Sequence, residues 1–315
     1  MVNKPPSTLV TRLKTYINKH HRYHRNRTYS STVSGSAGIQ RSQADSILLA
    51  SSPATPMKTS HVWAVCVTAL LCLHLGTTVT DGAEVRFDYT NGPNGPANWG
   101  NFPGWETCKT GRMQSPMLIT PDIMVTDKKL DAKLGTNYPK GPIPANISNN
   151  GHTIEVAVSG LELKINKVKY YSRQMHVHYP SEHTILGYTF PLELHLVHVE
   201  PATGKIAVVG WLFTLGADSP FLAQFFDNLP TYTPGSEETF PIDPIKFLLS
   251  TEGTYGRYMG SLTTPPCTEG VTWTLMLWDF PTVSTNQLNL LKAALPESNA
   301  RPTQPANGRK LRIST

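Results

Sequence analysis

Cysteine is scarce in this sequence: there are four, and two of them, Cys66 and Cys72, lie inside an apolar run near the N-terminus. The rest of the chain keeps only Cys108 and Cys267. In an exported domain such an isolated pair reads as one disulfide, with two buried free thiols as the alternative. Long apolar runs are also missing. The longest, from Val62 to Leu75, is about fourteen residues, short of the roughly twenty a bilayer-spanning helix requires, so no stable membrane span is expected in the mature form. Acids are nearly absent from residues 1–56, where eight Lys or Arg face the single Asp45. The remainder is close to neutral, so the net charge of +6 describes the leader. A nucleic-acid surface on the folded part is thereby excluded.

What is present begins with a leader. Met57-Lys58, the apolar core and a small, polar exit up to Ala83 have the layout of a secretory signal over 57–82, with a signal anchor as the alternative. The protein is expected to be secreted or lumenal. The preceding basic, Ser/Thr/Arg-rich residues 1–56 show no apolar periodicity long enough to bury a face and are expected to be disordered or removed. A signal this far from the N-terminus has two explanations: translation starting at Met57, or an Arg-rich, acid-poor organelle transit sequence. From residue 83 to 315 the pattern is one mainly β domain without repeats. Strands are predicted at Glu155–Val158, Leu161–Ile165, Gln174–Tyr179, Leu192–Val199, Ile206–Leu215 and Val271–Trp278. Helices are predicted at Pro220–Asn228 and at Thr285–Leu295, the second with Ser284 or Thr285 as N-cap.

Six of the eleven histidines lie in this domain, five of them within 23 residues. In Gln-Met-His-Val-His-Tyr, strand alternation groups Gln174, His176 and His178 on one face. In Leu-Glu-Leu-His-Leu-Val-His-Val it groups Glu193, His195 and Val197. If the two strands are neighbours, three imidazoles converge. Three neutral imidazoles make a catalytic type of zinc site, because a tetrahedral ion then keeps one position for water. Gln174 and Glu193 each precede a ligand by two residues and can fix its ring from behind. An isolated His-x-His is more often a packed or surface pair; the two led motifs together are far more specific.

The strings QMHVHYPSEHT, LELHLVH and GSLTTPPCTEGVTW, with NNGHT, RMQSP and RPTQPANGR, resemble α-class carbonic anhydrases, the matches running in family order from Phe87 to Arg309. The link beginning at Tyr179 is closer to plant, algal and bacterial members. The resemblance implies a large, mostly antiparallel central sheet with a few short surface helices. It also implies a Zn2+ enzyme that hydrates carbon dioxide to bicarbonate. It assigns His176, His178 and His195 as zinc ligands, Gln174 and Glu193 as their outer partners, and a backbone carbonyl behind the third ring. It gives Thr263 and Glu182 the task of orienting zinc-bound hydroxide, and His152 that of proton shuttle, with Tyr89 and Asn150 as supports. Val197, Val208, Leu262 and Trp273 would line the apolar side for carbon dioxide, an apolar gas, and Thr264 the polar side where bicarbonate leaves. A Cys108–Cys267 bridge and cis bonds at Ser115–Pro116 and Pro265–Pro266 are implied as well. The rivals are a non-catalytic binding or storage relative and a zinc hydrolase whose main task is ester cleavage. Asn146-Ile147-Ser148 is a glycosylation sequon, usable only on an exported chain.

Overall fold

The computed structural model describes residues 7–27, 87–131, 133–139, 141–226, 229, 237–242, 253–277, 279–295 and 297–314. The expected signal over 57–82 and most of the basic extension lie outside the described residues.

Among the described residues a thirteen-stranded sheet dominates. Its strands run Glu237–Ile242, Ile143–Asn149, Ile154–Val158, Val168–His178, Leu192–Val199, Ile206–Leu215, Glu269–Met276, Tyr255–Ser261, Leu311–Ile313 and Met124–Thr126, with three short strands beside this path. Two of the predicted strands have the bounds expected, Leu192–Val199 and Ile206–Leu215. The sheet is mixed. Ile206–Leu215 pairs in parallel with Glu269–Met276, and Leu311–Ile313 with Met124–Thr126, while most other neighbours are antiparallel. The parallel pair at the centre needs a crossover, supplied here by the whole segment between Leu215 and Glu269.

Alternation sorts the strands between two cores. In Leu192–Val199, Leu192, Leu194 and Leu196 enter the larger core with Met175, Val177, Val209, Trp211 and Phe213. Glu193, His195 and Val197 face the other way, towards the cluster of Val208, Leu212, Trp273 and Leu275. Ile206–Leu215 is buried at every interior position, as expected of a strand covered on both faces.

Thr285–Ala294 is a helix with a capping box: the Ser284 hydroxyl accepts from Gln287 N while the Gln287 side chain returns to Ser284 N. The other predicted helix spans Pro220–Phe226, and Asp227 and Asn228 lie outside the described residues. One element departs from the sequence expectation. Ser7–Arg27, in the extension expected to bury no face, is a 21-residue helix with Leu9, Leu13 and Ile17 buried. The Tyr16 ring packs tilted against Phe280, with centroids 5.0 Å apart, and its hydroxyl hydrogen-bonds Thr214 Oγ1 at 2.9 Å. Leu9, Leu13 and Ile17, four apart, mark it in sequence with Val10 and Tyr16 beside them, and the core they join is supplied by residues from Met117 to Ile313. No described helix is long and apolar enough to cross a membrane.

Candidate metal centre

Pairing of Val168–His178 with Leu192–Val199 sets His195 directly opposite His176, and Glu193 opposite His178. The three rings converge, with centroids 5.0, 5.1 and 4.6 Å apart. On the far side of His195 the neighbouring strand carries Gly210. A Cβ there would meet Leu275 at 3.0 Å and Glu193 Oε1 at 3.4 Å, so glycine keeps the space behind the ring open.

Each ring is held by one nitrogen. His176 Nδ1 bonds Gln174 Oε1 at 2.7 Å, His178 Nδ1 bonds the Asn299 carbonyl at 2.7 Å, and His195 Nε2 bonds Glu193 Oε1 at 2.8 Å. All three partners are acceptors, so these nitrogens carry the protons and the other three present lone pairs. The inward atoms lie within 4.8 Å of one another. His176 Nε2 and His195 Nδ1 are 3.2 Å apart, close to the about 3.3 Å edge of a tetrahedron with 2.0–2.1 Å zinc–nitrogen bonds. His178 Nε2 is buried with no hydrogen-bond partner. Three lone pairs pointed at one spot repel unless a cation sits there, so the donor set fits a zinc ion. Burial pushes the His176 and His178 imidazoles down, reinforced by the neighbouring rings, which favours the neutral form a ligand needs.

A second layer stands behind the ligands. Glu193 is fully buried. Burial would push its carboxyl up, but His183 and His195 hold it well below the usual carboxylate range. Besides His195 it accepts His183 Nδ1 at 2.7 Å and the backbone N–H groups of Glu182 and His183 at 2.9 and 2.8 Å. His183 Nε2 in turn meets Tyr258 Oη at 2.7 Å, and Tyr258 Oη meets Ser115 Oγ at 2.8 Å. Glu182 Oε1 accepts the Arg301 N–H at 3.0 Å, while Glu182 Oε2 is buried without a partner. Thr263 is buried in the loop after Tyr255–Ser261, but no hydrogen bond joins it to Glu182. The Arg301 guanidinium, pushed down to about 10 chiefly by burial, is tied to Gln114 Oε1 and to the carbonyls of Ser115 and Cys108.

An apolar wall lies beside the three rings. Val197, Val208 and Trp273 form one transverse row on the ligand face, two residues along from His195, Gly210 and Leu275. Leu262 packs against the same cluster, and the Trp273 ring stands edge-on to His195 at 4.8 Å. Thr264 lies in the Thr263 loop, where its carbonyl accepts Cys267 N. Cys108 and Cys267 form a disulfide. The bonds Ser115–Pro116 and Pro265–Pro266 are cis, as is Tyr179–Pro180, which the sequence did not flag.

His152 sits on the turn between Ile143–Asn149 and Ile154–Val158. Asn150 Oδ1 accepts the N–H groups of His152 and Thr153 at 2.9 Å each. Asn299 Nδ2 donates to the His152 carbonyl, so one asparagine braces both this turn and ligand His178. Tyr89 packs edge-on against Trp99. Asn146 is exposed on Ile143–Asn149.

Sequence reasoning gave no role to Asn299, His183 or Arg301. His183 stood in a quoted motif string, and its spacing from Glu193 was a usable signal. Asn299 acts on His178 through its backbone, which leaves no mark in residue type.

The fold occurs in known proteins. A family model for eukaryotic-type carbonic anhydrase matches residues 94–315. Dioscorin dioA3 of Dioscorea japonica is 41% identical over 250 residues, covering 76% of this chain and 89% of that protein. Alpha carbonic anhydrase 8 of Arabidopsis thaliana is 40% identical over 249 residues, covering 75% of this chain and 62% of its own. Among solved structures, dioscorin complexed with ascorbate superposes with a TM-score of 0.66 at 40% identity, covering 72% of this chain and 97% of that one. The α-carbonic anhydrase of Thermovibrio ammonificans, solved with sulfanilamide, gives 0.65 at 34%, covering 73% and 99%. With a family match over most of the domain and relatives of this identity, the chain belongs to the eukaryotic-type carbonic anhydrase family.

Proposed function

We propose that the protein is a zinc-dependent carbonic anhydrase that interconverts carbon dioxide and bicarbonate, and that residues 83–315 are its catalytic domain. The observation that carries this reading is the set of three inward lone pairs, each fixed by an acceptor on the opposite ring nitrogen. Zinc held by His176, His178 and His195 would supply Lewis acidity and an acidified water in the position the rings leave open. The residues around that position divide the remaining work. Val197, Val208, Leu262 and Trp273 receive the apolar gas, and Thr264 faces departing bicarbonate. Thr263 orients the attacking oxygen, with Glu182 Oε2, the carboxylate oxygen left without a partner, as the acceptor for its hydroxyl. Each turnover leaves one surplus proton, and His152, whose residue type titrates near neutrality, carries it to buffer. The leader at 57–82 would deliver the domain to a secreted or lumenal compartment, where the Cys108–Cys267 bridge persists.

A non-catalytic binding or storage role is the second reading, favoured by the similarity to dioscorins, one of which is solved with a small ligand, ascorbate. Zinc analysis with stopped-flow carbon dioxide hydration separates the two. The proposed enzyme binds one zinc and hydrates carbon dioxide, and His195→Ala loses both properties. A fully zinc-loaded chain that leaves the hydration rate unchanged would overturn the enzymatic reading in favour of the second.

A further inference from the structure

The helix Ser7–Arg27 has two faces. Leu9, Leu13 and Ile17 are buried with Val10 and Tyr16 half-buried beside them, while Arg12, Lys14 and Asn18 are exposed. The apolar side joins a core cluster of the domain. Tyr16 marks the junction: its hydroxyl lies 2.9 Å from Thr214 Oγ1 and donates to the Phe280 carbonyl at 3.4 Å. Its ring leans on Phe280, Phe280 packs against Phe190 and Phe190 against Tyr188, with centroids 5.0, 5.0 and 4.8 Å apart. The partner surface is itself fixed, because Thr214 N donates to the Pro281 carbonyl where Ile206–Leu215 meets Thr282–Val283. The helix thus covers the end of a row of rings, none of which belongs to the metal centre.

An apolar stripe stabilises a fold only when it meets the face it fits, since the gain comes from area withdrawn from water. Here the stripe and its face stand on either side of the expected leader at 57–82. The run Val62–Leu75 offers one crossing of a bilayer at most, and one crossing leaves the segments before and after it on opposite sides. With that run inserted, the eight Lys or Arg of residues 1–56 would hold the extension on the cytoplasmic side while the domain passed through. Removal of the leader parts the two just as surely. The contacts of Leu13, Tyr16 and Ile17 are therefore incompatible with use of the leader by the same molecule.

We propose that Ser7–Arg27 is the cap of a form that is not exported through 57–82: where the helix is docked, that segment is uncut and on the same side of every membrane as the domain, and export through the leader yields a domain without the cap. The inference rests on the leader reading given above. A chain begun at Met57 has the leader at its N-terminus and no helix; a chain begun at Met1 has both, and the docked helix belongs to the second. The exported domain exposes the part of Phe280 that Tyr16 otherwise covers.

The experiment translates two messages beside vesicles of endoplasmic reticulum: a chain begun at Met57, and the full chain carrying Met57→Leu so that translation cannot begin there. The mass of the product reports leader removal, and resistance to added protease reports passage into the vesicle. The chain begun at Met57 should be shortened and protected; the full chain should stay whole and accessible. Shortening or protection of the full chain would overturn the proposal. A chain begun at Met57 that is neither shortened nor protected would instead remove the leader reading, and the contrast between the two forms with it. Docking is read separately, by amide exchange over residues 8–18 of the purified full chain. Ile17→Asp should speed that exchange about tenfold or more, and Lys14→Asp, on the exposed side, should leave it slow. Equal exchange in the unaltered chain and Ile17→Asp, or equal speeding by Lys14→Asp, would overturn the cap. Neither readout uses carbon dioxide hydration, so failure of the enzymatic reading would leave both intact.

Discussion

Replacing Glu193 by glutamine exchanges one carboxylate oxygen for an NH2 group at a point where four donors converge. Oε1 accepts the two imidazole N–H groups and Oε2 the two backbone N–H groups, all between 2.7 and 2.9 Å. A carboxamide can turn its oxygen towards only one pair. If the oxygen keeps the backbone pair, the NH2 faces two ring N–H groups, and His195 relieves the clash by moving its proton to Nδ1, the atom aimed at the metal. If the oxygen keeps the rings, two backbone donors are orphaned. Two hydrogen bonds to a charged group are lost either way, and at about 1.5–3 kcal/mol each the sum is about 3–6 kcal/mol in a site with no solvent to compensate. Taking about 3 kcal/mol, the melting temperature of a domain this size should fall by about 6–12 °C. Zinc affinity should fall about 10- to 100-fold, as is usual when the partner behind a ligand is altered. Scanning calorimetry of the metal-free protein and zinc titration against a competing chelator measure the two effects. Affinity within about twofold of the original, together with a melting temperature within about 1 °C, would refute the reasoning.

Two further substitutions probe features outside the metal centre. His198 lies on the opposite face of its strand from His195, its Nε2 has no partner, and burial pushes it down to about 4. The unfolded chain therefore binds a proton that the folded chain refuses, and stability drops as pH falls through about 6.5 towards 4. Between pH 7 and 5, urea unfolding of His198→Leu should lose about 2 kcal/mol less than the original, and equal losses would count against the neutral buried imidazole. Leu13, on the buried face of the helix Ser7–Arg27, is 2% exposed. Leu13→Asp would bury an unpaired carboxylate, so the helix should detach and amide exchange over residues 8–18 should speed up; unchanged protection would show that the apolar stripe does not hold it.

The strands that carry the ligands were legible because their signal is local. Period-two alternation puts Gln174, His176 and His178 on one face and Glu193, His195 and Val197 on another, while Ile206–Leu215, the other strand whose bounds match the structure, is marked by a continuous apolar run. The N-terminal helix was not legible, because a short apolar stripe in a basic segment buries a face only when remote core residues from Met117 to Ile313 are brought against it. Likewise, the mixed pairing of the sheet depends on which distant strands meet, and alternation within one strand does not encode its partner's direction.

By itself the sequence determined the donor set, the faces on which it lies and the family, since residue type and spacing along an extended chain dictate these without reference to anything distant. Tertiary structure alone decided that the faces meet and which remote groups complete the site. His178 is oriented by a carbonyl at residue 299, the carboxylate behind His195 is shared with His183, and the His152 ring lies against a phenylalanine 65 positions earlier. The physical reason is that a backbone carbonyl is the same in every residue type, and a ring stack is set by two anchored backbones; both exist only once chain closure has brought remote segments into contact.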